Sequence, residues 1–349
     1  MLEGGREPPS GLEWPEGLRD VRGAVHCHSF LSHDSEGSWT RIASAARSVG
    51  VEFVLLSDHP SPGFIERSPR GLLDGVWLIG GGELSAEGRK GSLLALGPTR
   101  TPSSPGDGNA AIIESIHSAG GVAIVAHAEE FTAFDVPGYD GIEIQNLHAA
   151  LRDRCPAIVL LGGLLLPPPL FFRYVVPRPD HNLDRYGELL DQGRRLTVVA
   201  GGDAHENIQL LGWVFGTYAE TFKAASTHLL VEGEVNDGSI MDALRRGRSY
   251  AAFESLSSTL GFVFVGQSPR AGVALPGDDL PLAKETRLMA TAPGNSRFIL
   301  RRGSRVVATR RGNRLDHCPR QEGLYWLEVQ QGNRCWIITS PIAVVGEQP

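Results

Sequence analysis

Between residues 22 and 255, short apolar runs alternate with stretches whose apolar residues recur every three or four positions. That alternation of strand and helix periods is the grammar of folds built on a parallel sheet, either a barrel or a doubly wound sheet. Strands are predicted over Arg22–His26, Phe53–Leu56, Val76–Ile79, Ser92–Leu96, Val122–Ala126, Gly141–Ile144 and Leu196–Ala200. Helices are predicted over Trp39–Ser48, Asn109–Ala119, Leu183–Gly193 and Ser239–Gly247.

Past Phe253 the pattern changes to short alternating runs between Gly and Pro clusters, at Gly261–Val265, Arg287–Ala292, Arg297–Leu300, Tyr325–Val329 and Trp336–Ile338. No helical period is found there, and the spacing predicts a small all-β sandwich. With 349 residues, enough for about two domains, the chain divides into a leader (1–20), an α/β unit (21–255) and the sandwich (256–349).

Charge is uneven across that division. Residues 1–255 carry 21 Lys and Arg against 33 Asp and Glu, whereas 256–349 carry 12 against 7. An acidic main body disfavours nucleic acid as a partner, because phosphate backbones are bound by bulk positive charge. The four cysteines, Cys27, Cys155, Cys318 and Cys335, have neither disulfide-framework nor zinc-ribbon spacing. They suit a reducing compartment, and the polar, proline-rich start predicts no export signal, so the expected location is cytoplasmic. One segment stands apart: Cys155–Phe172 has 18 residues without a charge. Its glycines and the Pro167–Pro169 run forbid a continuous spanning helix. It is expected to be a buried helix followed by an ordered loop, and to cover the site mouth or form an oligomer interface.

Chemistry is concentrated where the predicted strands end. The first ends in His26-Cys27-His28, and side chains two apart on a strand share a face. The others end in Ser57-Asp58-His59, Gly82-Glu83, Ala126-His127 and Gly201-Gly202-Asp203-Ala204-His205. In a barrel these ends converge on one face. Imidazoles and carboxylates brought together in this way form the ligand set of zinc, manganese or iron. Asp58, beside His59, is a candidate to orient an imidazole or relay a proton. Ser29 is expected to hydrogen-bond to ligands and Cys27 to pack as a wall residue. His117, His148, His181, His228 and His317 are read as structural. Arg67, Arg70, Arg89, Lys90, Arg173 and Arg178 are each read alone as solvated surface charges that together put cations on the face where a phosphate group would enter, and Arg248 equally as a helix C-terminal charge or a phosphate ligand.

The ordered set HCHSFLSHDS, SDH, GGGE, AHA and GGDAH resembles the motifs of the PHP (polymerase and histidinol phosphatase) superfamily over about Val21–Glu254. The resemblance implies a metal-dependent phosphoesterase on a distorted (β/α)7 barrel. It implies that His26, His28, Glu83 and Asp203 hold one metal, Glu83 bridging to a third. His59 and His205 hold the second, together with His33 or Asp34; His33 is favoured because it occupies the place where the family has Asp. His127 serves the third metal. Where trinuclear members carry a His ahead of the LLALG-like strand, this chain has Gly91-Ser92, so the third site is expected to be weak, water-filled or absent. The 256–349 segment is similar to the immunoglobulin-like tail of some bacterial PHP-type proteins.

The function expected on these grounds is hydrolysis of a small phosphorylated molecule, a phosphomonoester or phosphodiester, by water activated on two or three divalent ions. Asp58, Asp203 and His205 are the candidate catalytic residues. Two alternatives keep the metals: an amide or carboxylic ester hydrolase, and a catalytically degenerate, metal-stabilised binding protein.

Overall fold

The computed structural model describes residues 12–87, 90–102, 108–206, 208–210 and 213–346; Arg89 lies outside them. The chain opens with β1 (Leu18–Cys27), α1 (Trp39–Ser48), β2 (Phe53–Leu56), α2 (Phe64–Arg67), β3 (Arg70–Leu73), β4 (Val76–Ile79), β5 (Gly81–Ser85), β6 (Ser92–Leu96), α3 (Asn109–Ser118), β7 (Val122–Ala126) and β8 (Gly141–Asn146). Four helices follow, α4 (Leu147–Arg152), α5 (Pro156–Leu165), α6 (Pro168–Val175) and α7 (Asp180–Asp191). Next come β9 (Thr197–Ala204), the hairpin β10 (Ile208–Leu210) and β11 (Trp213–Phe215), α8 (Tyr218–Ala224), β12 (Ser226–Glu232), α9 (Asp237–Arg245) and β13 (Ser249–Ala252). The remainder is β14 (Val263–Ser268), β15 (Gly272–Ala274), β16 (Asp279–Pro281), β17 (Arg287–Arg302), β18 (Arg305–His317), β19 (Gly323–Gln331), β20 (Arg334–Thr339) and β21 (Ile342–Val345). This is a mixed α/β structure with a large sheet.

Local chemistry explains the elements. FVLL and VAIVA are unbroken apolar runs, and every residue of β2 and β7 is buried, as expected for strands covered on both faces. Helix α1 starts where the Ser38 side chain accepts the Arg41 N–H at 3.2 Å; it buries Ile42, Ala43 and Ala46. Thr217 with Glu220, and Asn236 with Ser239, form reciprocal caps that start α8 and α9.

Pairing runs in the order β4–β2–β1–β9–β8–β7–β6–β5, parallel except on both sides of β6. An uninterrupted strand–helix–parallel strand succession was expected. The number of residues between Ser85 and Ser92 explains the departure at β5–β6, since a parallel crossover needs roughly a dozen. Reversal has a consequence for the site: Ser92, the first residue of β6, stands opposite Ala126, the last of β7.

Beyond β9 the sheet continues. β12 pairs antiparallel with β1, β13 with β12, and β20 with β13 through Tyr250↔Thr339 and Ala251↔Ile338. Residues on both sides of position 255 share one core, in which the Tyr186 and Trp326 rings meet edge to face at 5.1 Å. The two runs expected at Arg287–Ala292 and Arg297–Leu300 belong to one strand, β17, whose register breaks between Thr291 and Ser296. Pro293 and Gly294 fall in that break, where a missing donor costs the ladder nothing.

The uncharged segment departs from expectation twice. Its second half is a helix rather than a loop, because Pro168 falls in the first turn of α6, where proline is tolerated. Its first half is a helix but not a buried one: Ile158, Leu160, Leu161, Leu164 and Leu165 of α5 are exposed. Gly162 packs against Phe171 and Val175, where a Cβ would come within 3.1–3.2 Å, so α6 covers only one side of α5. Among the described residues no helix is long and apolar enough to cross a membrane.

Candidate metal centre

Four strand ends and the middle of β5, which carries Glu83, deliver the candidate ligands, and the backbone bends to do so. Among the described residues five non-glycine positions have positive φ, and three of them are His26 (63°), His127 (47°) and Asp203 (50°). A non-glycine residue in this region costs on the order of 1 kcal/mol or more and marks a functional site. Simple alternation would have sent His26 and His28 to one face; instead β1 is bulged between Val25 and Cys27 against both β2 and β9. The bulge re-aims the His26 ring.

The result is a compact group of four donors. His26 Nε2 lies 3.3 Å from Glu83 Oε2 and 3.3 Å from Asp203 Oδ1, and His28 Nε2 lies 3.4 and 3.3 Å from the same two oxygens. Neither nitrogen makes a hydrogen bond, and both are buried. Donors about 2.0–2.1 Å from a shared tetrahedral ion stand roughly 3.3–3.4 Å apart. Two orphaned imidazole nitrogens facing two carboxylates at that spacing fit a divalent metal.

Hydrogen bonds on the far side of each ring aim its lone pair inward. His26 Nδ1 donates to Glu143 Oε1 at 2.7 Å, and His205 Nδ1 donates to the Asp203 carbonyl at 2.9 Å. Ser32 Oγ donates to Asp58 Oδ1 at 3.1 Å and so accepts from His28 Nδ1 at 3.0 Å. With Nδ1 protonated in each ring, neutral Nε2 is left as the ligand atom. Asp58 thus acts on His28 through Ser32; its carboxylate also accepts the Ser29 N–H at 2.6 Å and the Ser29 hydroxyl at 2.8 Å.

A second group adjoins the first. Asp34 Oδ2 stands 3.3 Å from His59 Nε2 and 3.2 Å from His205 Nε2, while His28 stacks on His205 at 4.0 Å. His33 is exposed, its ring 4.9 Å from that of His59, and it is Asp34 that reaches the group. His127 Nε2 approaches the other oxygen of Glu83, Oε1, at 3.1 Å. Beside it opens a polar cleft of about 470 Å³ lined by Ser85, Gly91, Ser92, His127, Glu130 and Arg152, where Arg152 pairs with Glu130.

The carboxylates dominate the electrostatics. Burial opposes charge on His26, yet Glu143, Asp203 and Glu83 raise its pKa well above the usual range. Burial likewise opposes a proton on His127, but Glu129 and Glu83 lift it to about 10. His28 is held down to about 4 by burial and by the neighbouring His205 and His26 rings, against the pull of Asp203. Against their own burial, Glu83 and Asp203 are kept far below ordinary carboxylate values by the imidazoles. The pocket demands positive charge, which a cation meets.

Of the other residues singled out in the sequence, Arg70 pairs with Asp237 at 2.8 Å, Arg178 with Glu328 at 2.8 Å, and Arg248 with Glu232 at 2.7 Å. Arg67 bonds to Ser61, and Lys90 is exposed. His117 pairs with Asp140 and His228 with Asp20, while His148 brings its ring within 5.6 Å of His205. Besides Ser32, three contributors carry no signal named above. Glu143 accepts the His127 N–H at 3.0 Å as well as the His26 ring, and Asn146 Nδ2 donates to Glu143 and Asp203. Arg152 is the cation at the cleft. A single charge inside the apolar run GIEI was the signal for Glu143.

No family model and no curated protein matches the chain. Among solved structures it is similar to a two-domain protein containing a predicted PHP-like metal-dependent phosphoesterase from Bacteroides vulgatus. That match has 14% identity and a TM-score of 0.44, covering 97% of this chain and 100% of that one.

Proposed function

We propose that this chain is a metal-dependent phosphoesterase that hydrolyses a small phosphorylated molecule. The observation that carries the reading is the paired donor group: two hydrogen-bond-free imidazole nitrogens 3.3–3.4 Å from two shared carboxylate oxygens, with a second group alongside. His26, His28, Glu83 and Asp203 would hold one ion, Asp34, His59 and His205 a second, and His127 with Glu83 a weaker third. Zinc, manganese and iron suit these donors. Bound there, divalent ions supply Lewis-acid activation of water and of the phosphoryl group.

The chain's own residues prepare that chemistry. Among the described residues, the two candidate nucleophiles next to the ligands are not free to act as such: burial pushes the Cys27 thiol well up, and the Ser29 hydroxyl is committed to Asp58. Arg152 at the cleft supplies a guanidinium for an anionic ester. The parallel order from β4 to β7 and the isolated bridge between Asp58 and Gly82 support a distorted (β/α)7 barrel over residues 21–255; residues 256–349, paired to it through β13–β20, are read as an accessory β unit. Free cysteines at all four positions suit a reducing cytoplasm.

Metal analysis of gently purified protein, joined to a phosphoester panel on the same sample, tests the reading. Two or more tightly bound ions are expected, with turnover abolished by chelation and restored by metal. Asp203→Asn and His59→Ala are each expected to lose about 100-fold or more in kcat/KM. Metal-loaded protein that cleaves amides or carboxylic esters but no phosphoester would overturn the assignment.

A further inference from the structure

Away from the metal centre, the most anomalous surface belongs to α5. Its residues Ile158, Leu160, Leu161, Leu164 and Leu165 are 46–76% exposed, and Leu170, past the Pro167–Pro169 turn, is 39% exposed. Apolar side chains in a contiguous exposed set mark an interaction surface.

The chemistry of the segment says what it meets. From Pro156 to Phe172 no side chain can donate or accept a hydrogen bond. Protein interfaces carry about one hydrogen bond per 100–200 Å², which this surface cannot supply. Hydrocarbon asks for none, provided the backbone is satisfied internally, as in a helix.

Both ends of the hairpin carry the residues that belong at a headgroup layer. Arg154 precedes α5 and donates through Nε to the Val175 carbonyl at 3.0 Å, tying the base of the two helices together. Arg173, over the Tyr174 ring at 5.9 Å, stands at the same base, opposite the proline turn. Arginine and an exposed tyrosine at one level, with uncharged apolar chain beyond, form an interfacial anchor.

We propose that the α5–α6 hairpin lays the exposed side of α5 into one leaflet of a phospholipid bilayer, α6 staying against α8, with Arg154, Arg173 and Tyr174 among the headgroups. Because α4 leads directly into the hairpin, Arg152 and the cleft beside His127 then lie close to the membrane surface. The proposal stands independently of the reaction catalysed.

Flotation of the full-length, metal-loaded chain with phosphatidylcholine–phosphatidylglycerol vesicles tests it. Wild-type protein is expected to float, and Leu161→Asp/Leu164→Asp/Leu165→Asp to remain in the load with about tenfold or greater loss of bound fraction. Circular dichroism and metal content of the variant should be unchanged. Wild-type protein that stays in the load with these vesicles, or a variant that floats equally well, overturns the proposal. So does a wild-type dimer that the triple variant converts to monomer while neither binds vesicles, since a second copy then covers the face. Should the triple variant not fold, Leu165→Trp decides: quenching by brominated acyl chains beyond that of the natural tryptophans is expected, and its absence overturns the proposal.

Discussion

Glu143 has no exposure at all, and its two oxygens fix one ligand ring and the backbone of a second ligand. Replacing it with Gln keeps the shape but removes the charge that strengthens His26 as a donor. Glu143→Gln is therefore expected to weaken metal binding by about 10–100-fold in chelator competition, with little change in fold. Unchanged affinity would show that the carboxylate only fills space. At this scale His26, His28, His59, Glu83, His127, Asp203 and His205 could be singled out as candidates, because each lies at or just past an apolar run, and the structure brings them together. Asp34 and His33 are neighbours in one loop, and spacing does not resolve which of two adjacent side chains turns inward. The backbone does: the loop exposes His33 and brings Asp34 to His59 and His205. Supporting groups such as Ser32 and Asn146 carry no pattern of their own; they acquire meaning only once the rings they touch are in place.

Strands β8 and β9 lie so close that Gly201 is required between them: a Cβ there would overlap the Glu143 carboxylate. Gly201→Ala is expected to displace that carboxylate from His26, lowering metal affinity at least as far as Glu143→Gln and reducing Tm by several degrees, which chelator competition and thermal unfolding would register. An alanine variant with native affinity and Tm would mean that the strands separate without cost. Elements with a strong local signal were legible to the residue, among them α1 and the buried runs β2, β4, β6 and β7. The direction of β6 was not, since antiparallel pairing with β5 and β7 is a property of neighbours distant in sequence. The segment α5–α6 misled for a physical reason: lack of charge signals burial, but does not say whether protein or another medium provides it.

Glu328 of β19 is fully buried and receives two guanidinium nitrogens from Arg178, ahead of α7, at 2.8–3.0 Å. This bidentate pair, the Tyr186–Trp326 contact and the β13–β20 ladder join the regions on either side of residue 255. Heating is expected to give one calorimetric transition, and Arg178→Met to destabilise the whole by about 3 kcal/mol, because the buried Glu328 carboxylate then keeps, among the described residues, only Gln330 as a hydrogen-bond donor and Arg301 at 3.7 Å. Two well-separated transitions would show that the shared core does not couple them. Composition pointed to a change of architecture near 255, but no local pattern announces a ladder between strands some 90 residues apart. Strand β1 poses the same problem in time. Its partners on one edge are Gly201 and Ala204 of β9 and residues 227–232 of β12, all made late. At roughly 5–20 residues per second, on the order of 10–40 s of synthesis separates β1 from them. Until then a nascent chain carries an open apolar strand edge, and the donor group that His26 and His28 share with Asp203 is incomplete until residue 203 has been made.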